Sequence, residues 1–233
     1  MLKVFNHTVG HQELLYQIDN LEINAGEFVA LIGANGTGKS TFFNDLVSGN
    51  FVDNSTSLQE QSLAKLNLQE RAKRITLVDN HFLGLSHLPV YEYLKLGRYT
   101  YTNLLNQLTE NDQQIIQKYV DLLKLNNLLN RATSTLSDGE RQRVSIAKAL
   151  IQETPLILLD EPTAFLDYPT KKEVMITLAE IANTQNRIVL LASHDIDFCL
   201  AYCNRFLLIE KQTKKLQSFS QITKEELLSI AFQ

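Results

Sequence analysis

The stretch from Gly33 to Ser40, GANGTGKS, constrains the fold of this chain more than any other. It fits the pattern G-x-x-x-x-G-K-[ST], in which a glycine-rich loop joins a strand to a helix. An apolar run over residues 28–32 precedes the loop and indicates a buried strand, and a helix is predicted to begin at Lys39. A glycine-rich turn with a chance Lys-Ser pair is the alternative, and the flanking strand and helix disfavour it.

The residue types in this loop are those needed to hold phosphate groups. Its glycines let the backbone turn tightly with N–H groups pointing inward, and the helix N-terminus adds favourable partial charge for an anion. Lys39 is expected to reach the β- and γ-phosphates of a nucleotide, and the Ser40 hydroxyl to ligate Mg²⁺. The predicted nucleotide contacts in the loop are Gly33, Asn35, Gly36, Gly38, Lys39, Ser40 and Thr41.

Two later apolar runs also end in polar residues that can act on a phosphate. Residues 156–159 lead into Asp160 and Glu161, and residues 188–192 lead into His194. Asp160 suits the Mg²⁺ side of the site, Glu161 is the candidate for orienting or deprotonating the attacking water, and His194 can hydrogen-bond the γ-phosphate. Alone, these would indicate an acidic turn and a surface or core histidine. Beside a phosphate-binding loop, the functional interpretation is favoured.

The alternation of strands and helices predicts an α/β fold with a mostly parallel sheet, of the P-loop NTPase type. Residues 1–32 contain short strands that are expected to form an antiparallel β subdomain, and residues 52–70 indicate a loop or irregular strand. Residues 84–135 lack β-branched runs and indicate an inserted helical subdomain, which the helix predicted over residues 142–151 continues.

Composition excludes several functional classes. The net charge of −4 without a basic block disfavours a nucleic-acid partner, and no apolar run approaches the roughly 18–20 residues that cross a bilayer. The N-terminus lacks the apolar core of a signal peptide, so the chain is expected to stay in the cytoplasm. Cys199 and Cys203, four residues apart on a predicted helix, are interpreted as reduced, partly buried thiols rather than a metal pair.

A second motif, LSDGERQR at residues 136–143, adds a family resemblance. Its first five residues stand where ATP-binding cassette (ABC) ATPases have LSGGQ, and together with the phosphate loop they make essentially the whole chain resemble that family. The resemblance implies that Ser137 and Gly139 contact the ATP held by a second subunit. It also implies that Asp167 communicates across this dimer and that His194 is the switch histidine. Asp138 and Glu140 are departures from the family pattern.

Two further departures concern the nucleotide. The family usually carries a glutamine at the end of the strand predicted over residues 75–78, and Asn80 is our candidate for that position, as a looser or water-mediated ligand of Mg²⁺. The family also stacks an aromatic ring on adenine. His11 lies near the expected place, and Tyr16 is the alternative.

The segments VYEYLKLGRY and DEPTAFLD most resemble ATPases of bacterial iron–siderophore, haem and vitamin B12 importers. This resemblance implies an ATPase that uses ATP and Mg²⁺, a homodimer of cassettes, two transmembrane permease subunits and a substrate-binding protein. The chain would act at the cytoplasmic face of the inner membrane. It implies one ABC domain over residues 1–233, with a core at 1–83 and 154–233 and a helical subdomain at about 84–153.

Several alternatives stay open from sequence. Four tyrosines between residues 91 and 101 suit either a permease-binding groove or packing within the helical subdomain. A soluble ABC ATPase of iron–sulfur cluster assembly and the ATPase of an exporter are the rival functions. A DNA clamp is disfavoured because no heptad repeat lies between the two motifs. The Asp160–Glu161 pair disfavours a module that binds ATP without hydrolysing it.

Overall fold

A computed structural model describes residues 1–10, 13–51, 55–79, 84–102 and 107–232. In this part of the chain ten strands form one sheet in the order β5-β4-β1-β2-β10-β9-β3-β8-β7-β6. The strands are β1 Leu2–Val9, β2 Tyr16–Ile23, β3 Phe28–Ile32, β4 Thr56–Leu58, β5 Gln61–Ser62, β6 Ile75–Val78, β7 Leu156–Asp160, β8 Ile188–Ala192, β9 Arg205–Glu210 and β10 Lys215–Phe219.

Eight α-helices accompany the sheet within the same residues. They are α1 Lys39–Ser48, α2 Leu68–Ala72, α3 Val90–Lys95, α4 Glu110–Leu122, α5 Asp138–Ile151, α6 Tyr168–Thr184, α7 Ile196–Tyr202 and α8 Lys224–Phe232. Four short 3-10 helices lie at Leu63–Lys65, Leu96–Tyr101, Asn126–Leu128 and Thr133–Thr135. None of the helices described is long and apolar enough to cross a membrane.

The strands β9, β3, β8, β7 and β6 run parallel to one another, and β10 pairs antiparallel with β9 at one side of this group. Every residue of β3 and β8 is buried, and both strands are continuous apolar runs, as expected where helices cover both faces of a parallel sheet. The predicted α/β fold is therefore confirmed. Because the strands are parallel, the segments that follow β3, β6, β7 and β8 leave the sheet at the same edge.

The N-terminal strands form the predicted antiparallel part of the sheet. β1 pairs with β2 over nearly its full length, and buried residues alternate with more exposed ones in both strands. β1 extends over eight residues, from Leu2 to Val9. Residues 55–70 are more regular than the predicted loop or irregular strand. β4 extends the antiparallel sheet beside β1, β5 pairs with β4, and α2 begins at Leu68 with Asn67 as its capping residue.

Where the structure describes the chain between β6 and β7, it forms helices, as predicted, and α5 packs on the parallel sheet. Val144, Ala147, Leu150 and Ile151 lie in the same buried cluster as residues of β3, β7 and β8. α5 begins at Asp138, four residues before the predicted start. The earlier start follows from a capping box in which Ser137 accepts the Glu140 N–H and Glu140 accepts the Ser137 N–H.

Candidate functional site: a phosphate-binding cleft at the strand ends

A cavity of about 610 Å³ lies where β3, β6, β7 and β8 end. Its lining combines the backbone of the glycine-rich loop with a lysine, hydroxyl groups, carboxylates and an imidazole, as a binding site for a nucleoside triphosphate requires. The sequence-predicted residues that line it are Asn35, Gly36, Gly38, Lys39, Ser40, Thr41, Asp160, Glu161 and His194. One cleft thus collects residues from three separate segments of the chain.

The glycine-rich loop has the backbone conformation that the motif predicts. Gly36 and Gly38 have φ angles of 76° and 101°, and Gly38 is the N-cap residue directly before α1. At Gly38 the positive φ selects glycine, and an added Cβ atom would also lie 2.8 Å from Leu15 Cδ1, the movable end of a side chain, and 3.2 Å from the buried Tyr16 ring. At Gly36 a Cβ atom would meet nothing within 4 Å, which leaves this part of the loop open to a ligand.

Lys39 is buried, yet its ammonium group lies at the cleft. Nζ donates hydrogen bonds to the carbonyl oxygens of Gly33 at 2.7 Å and Ala34 at 3.1 Å. Burial lowers the pKa of Lys39, and the carboxylates of Glu161 and Asp160 act in the opposite direction. Gly33 is outside the cavity lining, but its carbonyl holds the lysine. The two carbonyl groups accept hydrogen bonds from the ammonium group but carry no net charge. A phosphate bound in the cleft would supply a negatively charged partner for Lys39.

Ser40 and Asp160 form the part of the cleft that fits a divalent cation. Ser40 Oγ donates to Asp160 Oδ2 at 2.5 Å, although the two residues are 120 positions apart in sequence. Mg²⁺ in nucleotide sites is usually held by one or two protein oxygen ligands together with phosphate oxygens and water. This donor set fits that description. The described residues contain no group of three or more His, Cys, Asp or Glu side chains that would form an all-protein metal site.

Glu161 and His194 face each other across the ends of β7 and β8. His194 Nε2 is 3.1 Å from Glu161 Oε1. This contact is not a hydrogen bond, since none reaches the buried Oε1 within the described part of the chain; the His194 backbone N–H instead donates to Glu161 Oε2 at 3.4 Å. Burial raises the pKa of Glu161, while His194 and Lys39 act to lower it. A carboxyl group with a raised pKa beside a phosphate-binding loop is suited to proton transfer.

The backbone of Glu161 is held in an unusual conformation. Its φ angle is 50°, in the left-handed region that residues other than glycine rarely adopt, and its N–H donates to the Ala192 carbonyl at 2.9 Å. This bond joins the end of β7 to the end of β8. The strained residue therefore lies at the point where the two candidate catalytic segments meet, which is where functional sites tend to store strain.

The residues that the family resemblance assigned to a second subunit lie outside this cleft. Ser137, Gly139 and Asp167 do not line it, although the segments around them contact each other. A Cβ atom at Gly139 would be 3.0 Å from the Phe165 carbonyl oxygen, so the start of α5 approaches the loop before α6 closely. Asp167 caps α6 by accepting the Thr170 N–H at 3.1 Å, and the hydrogen bonds from Thr170 lower its pKa.

Some sequence predictions are not supported and some lining residues were missed. His11 and Asn80 lie outside the described residues, so their roles stay predictions. The alternative ring, Tyr16, is fully buried in β2 and offers no face to adenine. Leu15 and Asp79 line the cleft although neither was singled out. The signal for Asp79 was its position directly after β6, whereas Leu15 has no signal apart from its place before β2.

Cys199 and Cys203 are both buried, and neither forms a disulfide. Burial raises the pKa of the Cys203 thiol well above its usual value, and a hydrogen bond with Cys199 acts in the same direction. Both residues belong to the core cluster that packs against the parallel sheet. These thiols are therefore packing residues, more deeply buried than sequence indicated.

Comparisons with known proteins show the family of this chain. The ABC transporter family model matches residues 16–164. The petrobactin import ATP-binding protein FatE of Bacillus anthracis is 36% identical over 191 residues, which cover 80% of this chain and 74% of that protein. The molybdate import ATP-binding protein MolC of Haemophilus influenzae is 31% identical over 221 residues, covering 95% and 83% respectively.

Among solved structures, an inward-facing transporter assigned to the metal-chelate type of ABC transporter superposes with a TM-score of 0.80 at 29% identity, covering 98% of this chain and 88% of that chain. The chain belongs to the ABC transporter family. Within that family it is an ATP-binding subunit with ATPase activity, and its relatives include siderophore-import ATPases.

Proposed function

We propose that this chain is one of two identical cassettes that hydrolyse Mg²⁺-bound ATP to energise uptake of a metal chelate, such as an iron–siderophore, haem or vitamin B12. The observation that carries the proposal is the division of the predicted site. The phosphate loop, both carboxylates and His194 line one cleft, while the signature residues Ser137 and Gly139 do not reach it. A second copy of the chain would supply the missing contacts.

The roles of the cleft residues follow from their chemistry. Lys39 neutralises phosphate charge, and Ser40 and Asp160 would hold Mg²⁺ through their side-chain oxygens. When bound, Mg²⁺ supplies positive charge that offsets the negative phosphate oxygens. Glu161 orients the attacking water and accepts its proton, which its raised pKa favours. His194 donates to the γ-phosphate and keeps Glu161 oriented.

The second cassette supplies the other half of the ATP site. Ser137 stands at the N-terminus of α5, where free N–H groups and the helix dipole favour an anion. Gly139 lets this helix start approach the loop that carries Asp167. These residues would face the phosphates bound by the phosphate loop of the partner. His11 is proposed to stack on adenine, and Asn80 to contact Mg²⁺ or the attacking water.

The helical subdomain, proposed to span about residues 84–153, would transmit closure of the dimer to two transmembrane permease subunits. Two apolar side chains in this region, Leu96 and Tyr99, are 49% and 60% exposed. Tyr101 is less exposed, because its hydroxyl donates to the Gln152 carbonyl at 3.0 Å. Exposed aromatic and aliphatic groups of this kind suit a protein interface. The chain is thereby proposed to act at the cytoplasmic face of the inner membrane, with a substrate-binding protein acting on the complex.

The choice of cargo rests on the relatives. FatE is named for petrobactin import and the structural neighbour for metal chelates, whereas MolC is named for molybdate. Import of a metal chelate agrees with two of these three and with the segment around the tyrosine cluster. A soluble ATPase of iron–sulfur cluster assembly and an exporter ATPase are the alternatives. Purification from detergent-solubilised membranes separates the first alternative, because a transport ATPase should carry multispanning subunits with it.

Glu161→Gln tests the two-cassette site directly. This change keeps the side-chain size and removes the group that accepts the proton, so ATP should bind without being hydrolysed. We expect a monomer mass without nucleotide and twice that mass with ATP and Mg²⁺ by light scattering. Lys39→Ala in the same background is the control and should remain monomeric. Normal turnover by Glu161→Gln would contradict the assigned role.

A further inference from the structure

An ion pair behind the cleft links two segments that the proposed mechanism needs. Lys171 Nζ donates to Asp195 Oδ2 at 2.8 Å, and the two side chains are 24% and 26% exposed. Lys171 lies in the first turns of α6, and Asp195 lies in the turn between β8 and α7. Neither residue lines the nucleotide cleft. The pair therefore acts on the cleft only through the segments that it joins.

Each end of the ion pair lies next to a residue of the proposed mechanism. Lys171 N–H donates to the Asp167 carbonyl at 2.9 Å, so Lys171 belongs to the helical turn that Asp167 begins. Asp195 directly follows His194, and its N–H donates to Ser193 Oγ at 3.0 Å. A displacement of the Asp195 carboxylate would therefore shift the short turn that carries the His194 imidazole.

Apart from the ion pair, the turn carrying His194 is held by local bonds and by one long hydrogen bond, in which the His194 N–H donates to Glu161 Oε2 at 3.4 Å. The Ile196 N–H donates to the His194 carbonyl and the Cys199 N–H to the Asp195 carbonyl, each at 3.0 Å. These bonds shape the turn but do not attach it to α6. The contact between α6 and α7 includes the Tyr168 and Phe198 rings, whose centroids are 5.2 Å apart. An aromatic contact permits sliding, whereas a charged hydrogen bond also fixes direction.

We propose that Lys171 is a positioning residue, which holds the His194 turn against the start of α6 so that a shift of the Asp167 loop moves His194 relative to Glu161. The inference rests on the proposed function, because it assumes the roles given there to Asp167 and His194. It assigns a task to a side chain that neither contacts nucleotide nor belongs to a motif. A movement of Asp167, caused by the second subunit, would pass along one helical turn to Lys171 and through the Lys171–Asp195 pair to His194.

The test compares steady-state ATP hydrolysis by Lys171→Met, Lys171→Arg and Asp195→Asn with that by the wild type. Methionine keeps an unbranched stem beside the Phe198 ring but removes the charge. We expect kcat to fall about tenfold in Lys171→Met and Asp195→Asn, since small misplacements of a catalytic group have effects of this order. KM for ATP should stay within about twofold, because the pair does not touch the cleft. Arginine should restore kcat to within about twofold of the wild type.

Lys172→Met is the matched control, since Lys172 is the next residue of α6 and is exposed. It should leave both kcat and KM unchanged. The double variant Lys171→Met/Asp195→Asn should lose no more than either single variant, because both remove the same link. The thermal midpoint of each variant should stay within about 3 °C of the wild type, as expected for a partly exposed ion pair.

The outcomes separate this inference from the function on which it rests. Wild-type kcat in Lys171→Met together with an inactive His194→Ala variant would overturn the inference and leave the proposed site intact. Equal loss in the methionine and arginine variants, with lowered thermal midpoints, would also overturn it by showing a structural role. Full turnover in both His194→Ala and Glu161→Gln would instead refute the proposed site.

Discussion

Replacing Arg98 by methionine tests what holds the helical region against the sheet. The guanidinium group is buried and makes several bonds: Nε donates to Asp112 Oδ1 at 2.7 Å, and Nη1 donates to the Ile151 carbonyl and to Glu153 Oε2, both at 3.1 Å. Asp112 belongs to α4, whereas Glu153 lies in the turn that leads to β7. One side chain therefore connects the inserted helices to the strand that carries the catalytic carboxylates.

The cost of the change depends on what it leaves behind. Asp112 is 4% exposed, so the Arg98→Met variant would retain a buried carboxylate without its cation. Burial raises the pKa of Asp112, but the hydrogen bonds from Thr109 and the hydrogen bond and charge of Arg98 together lower it by more. The pKa of Asp112 is therefore below its usual value. Removing one partner of a buried ion pair costs about 3–5 kcal/mol. The Thr109 bonds remain and Glu153 can reach water, so we expect about 3 kcal/mol.

Urea denaturation followed by circular dichroism, with linear extrapolation to water, measures this loss. The control is Lys95→Met, which removes an exposed pair with Glu92 three residues away on α3 and should cost at most about 0.5 kcal/mol. A cycle that combines Arg98→Met with Asp112→Asn should show a coupling of at least about 1 kcal/mol, because the double variant no longer buries an unpaired charge. A cost for Arg98→Met no larger than that of the control would refute the reasoning.

Three further predictions concern single positions. Lys39→Ala should weaken ATP binding by about 10- to 100-fold in calorimetry, because a charge-assisted contact to phosphate contributes about 1.5–3 kcal/mol; unchanged affinity would contradict its position in the cleft. Gly38→Ala should lower the thermal midpoint more than Gly36→Ala, since both require positive φ but only Gly38 has an atom 2.8 Å from the added carbon; equal shifts would show that space does not matter there. The depressed pKa of Asp112 means that its ionised form stabilises the fold above about pH 4, the usual aspartate value, and that this contribution disappears as pH falls through the folded-state pKa. The difference in unfolding free energy between wild type and Asp112→Asn should therefore shrink from pH 7 to about pH 3, and a constant difference would count against this assignment.

The sequence was sufficient to predict the cleft because its residues follow apolar runs. Lys39, Asp160, Glu161 and His194 all come at or after strand ends, and parallel strands bring such positions to one edge without further information. Burial of Tyr16 could not be predicted in this way. Buried and exposed residues alternate along β2, so the face that Tyr16 occupies depends on the register of the strand, and the first residues of a strand are difficult to place from sequence.

Long-range charge pairs were beyond sequence reasoning for a different reason. Arg98 and Asp112 are 14 positions apart, and Lys171 and Asp195 are 24 apart, without a periodic pattern that connects them. Each pair forms only because two helices, or a helix and a turn, pack at a particular angle. Charged residues are common throughout the chain, so nothing in the sequence selects these four. The division of the chain at residues 84 and 153 stays a prediction.

The departure of the signature segment from the family pattern has a physical explanation in Arg131. The Glu140 carboxylate accepts the Ser137 N–H at 2.8 Å and the Arg131 guanidinium at 3.0 Å, and these contacts, the Ser137 bond first, lower its pKa. A glutamine could accept the same N–H, but it would offer Arg131 no charge. The glutamate therefore preserves the capping box at the start of α5 and gains a charged partner nine residues upstream. Glu140 alone is a departure from the motif. Together, Glu140 and Arg131 keep Ser137 at the helix N-terminus, where the phosphates of the ATP held by the second cassette would bind.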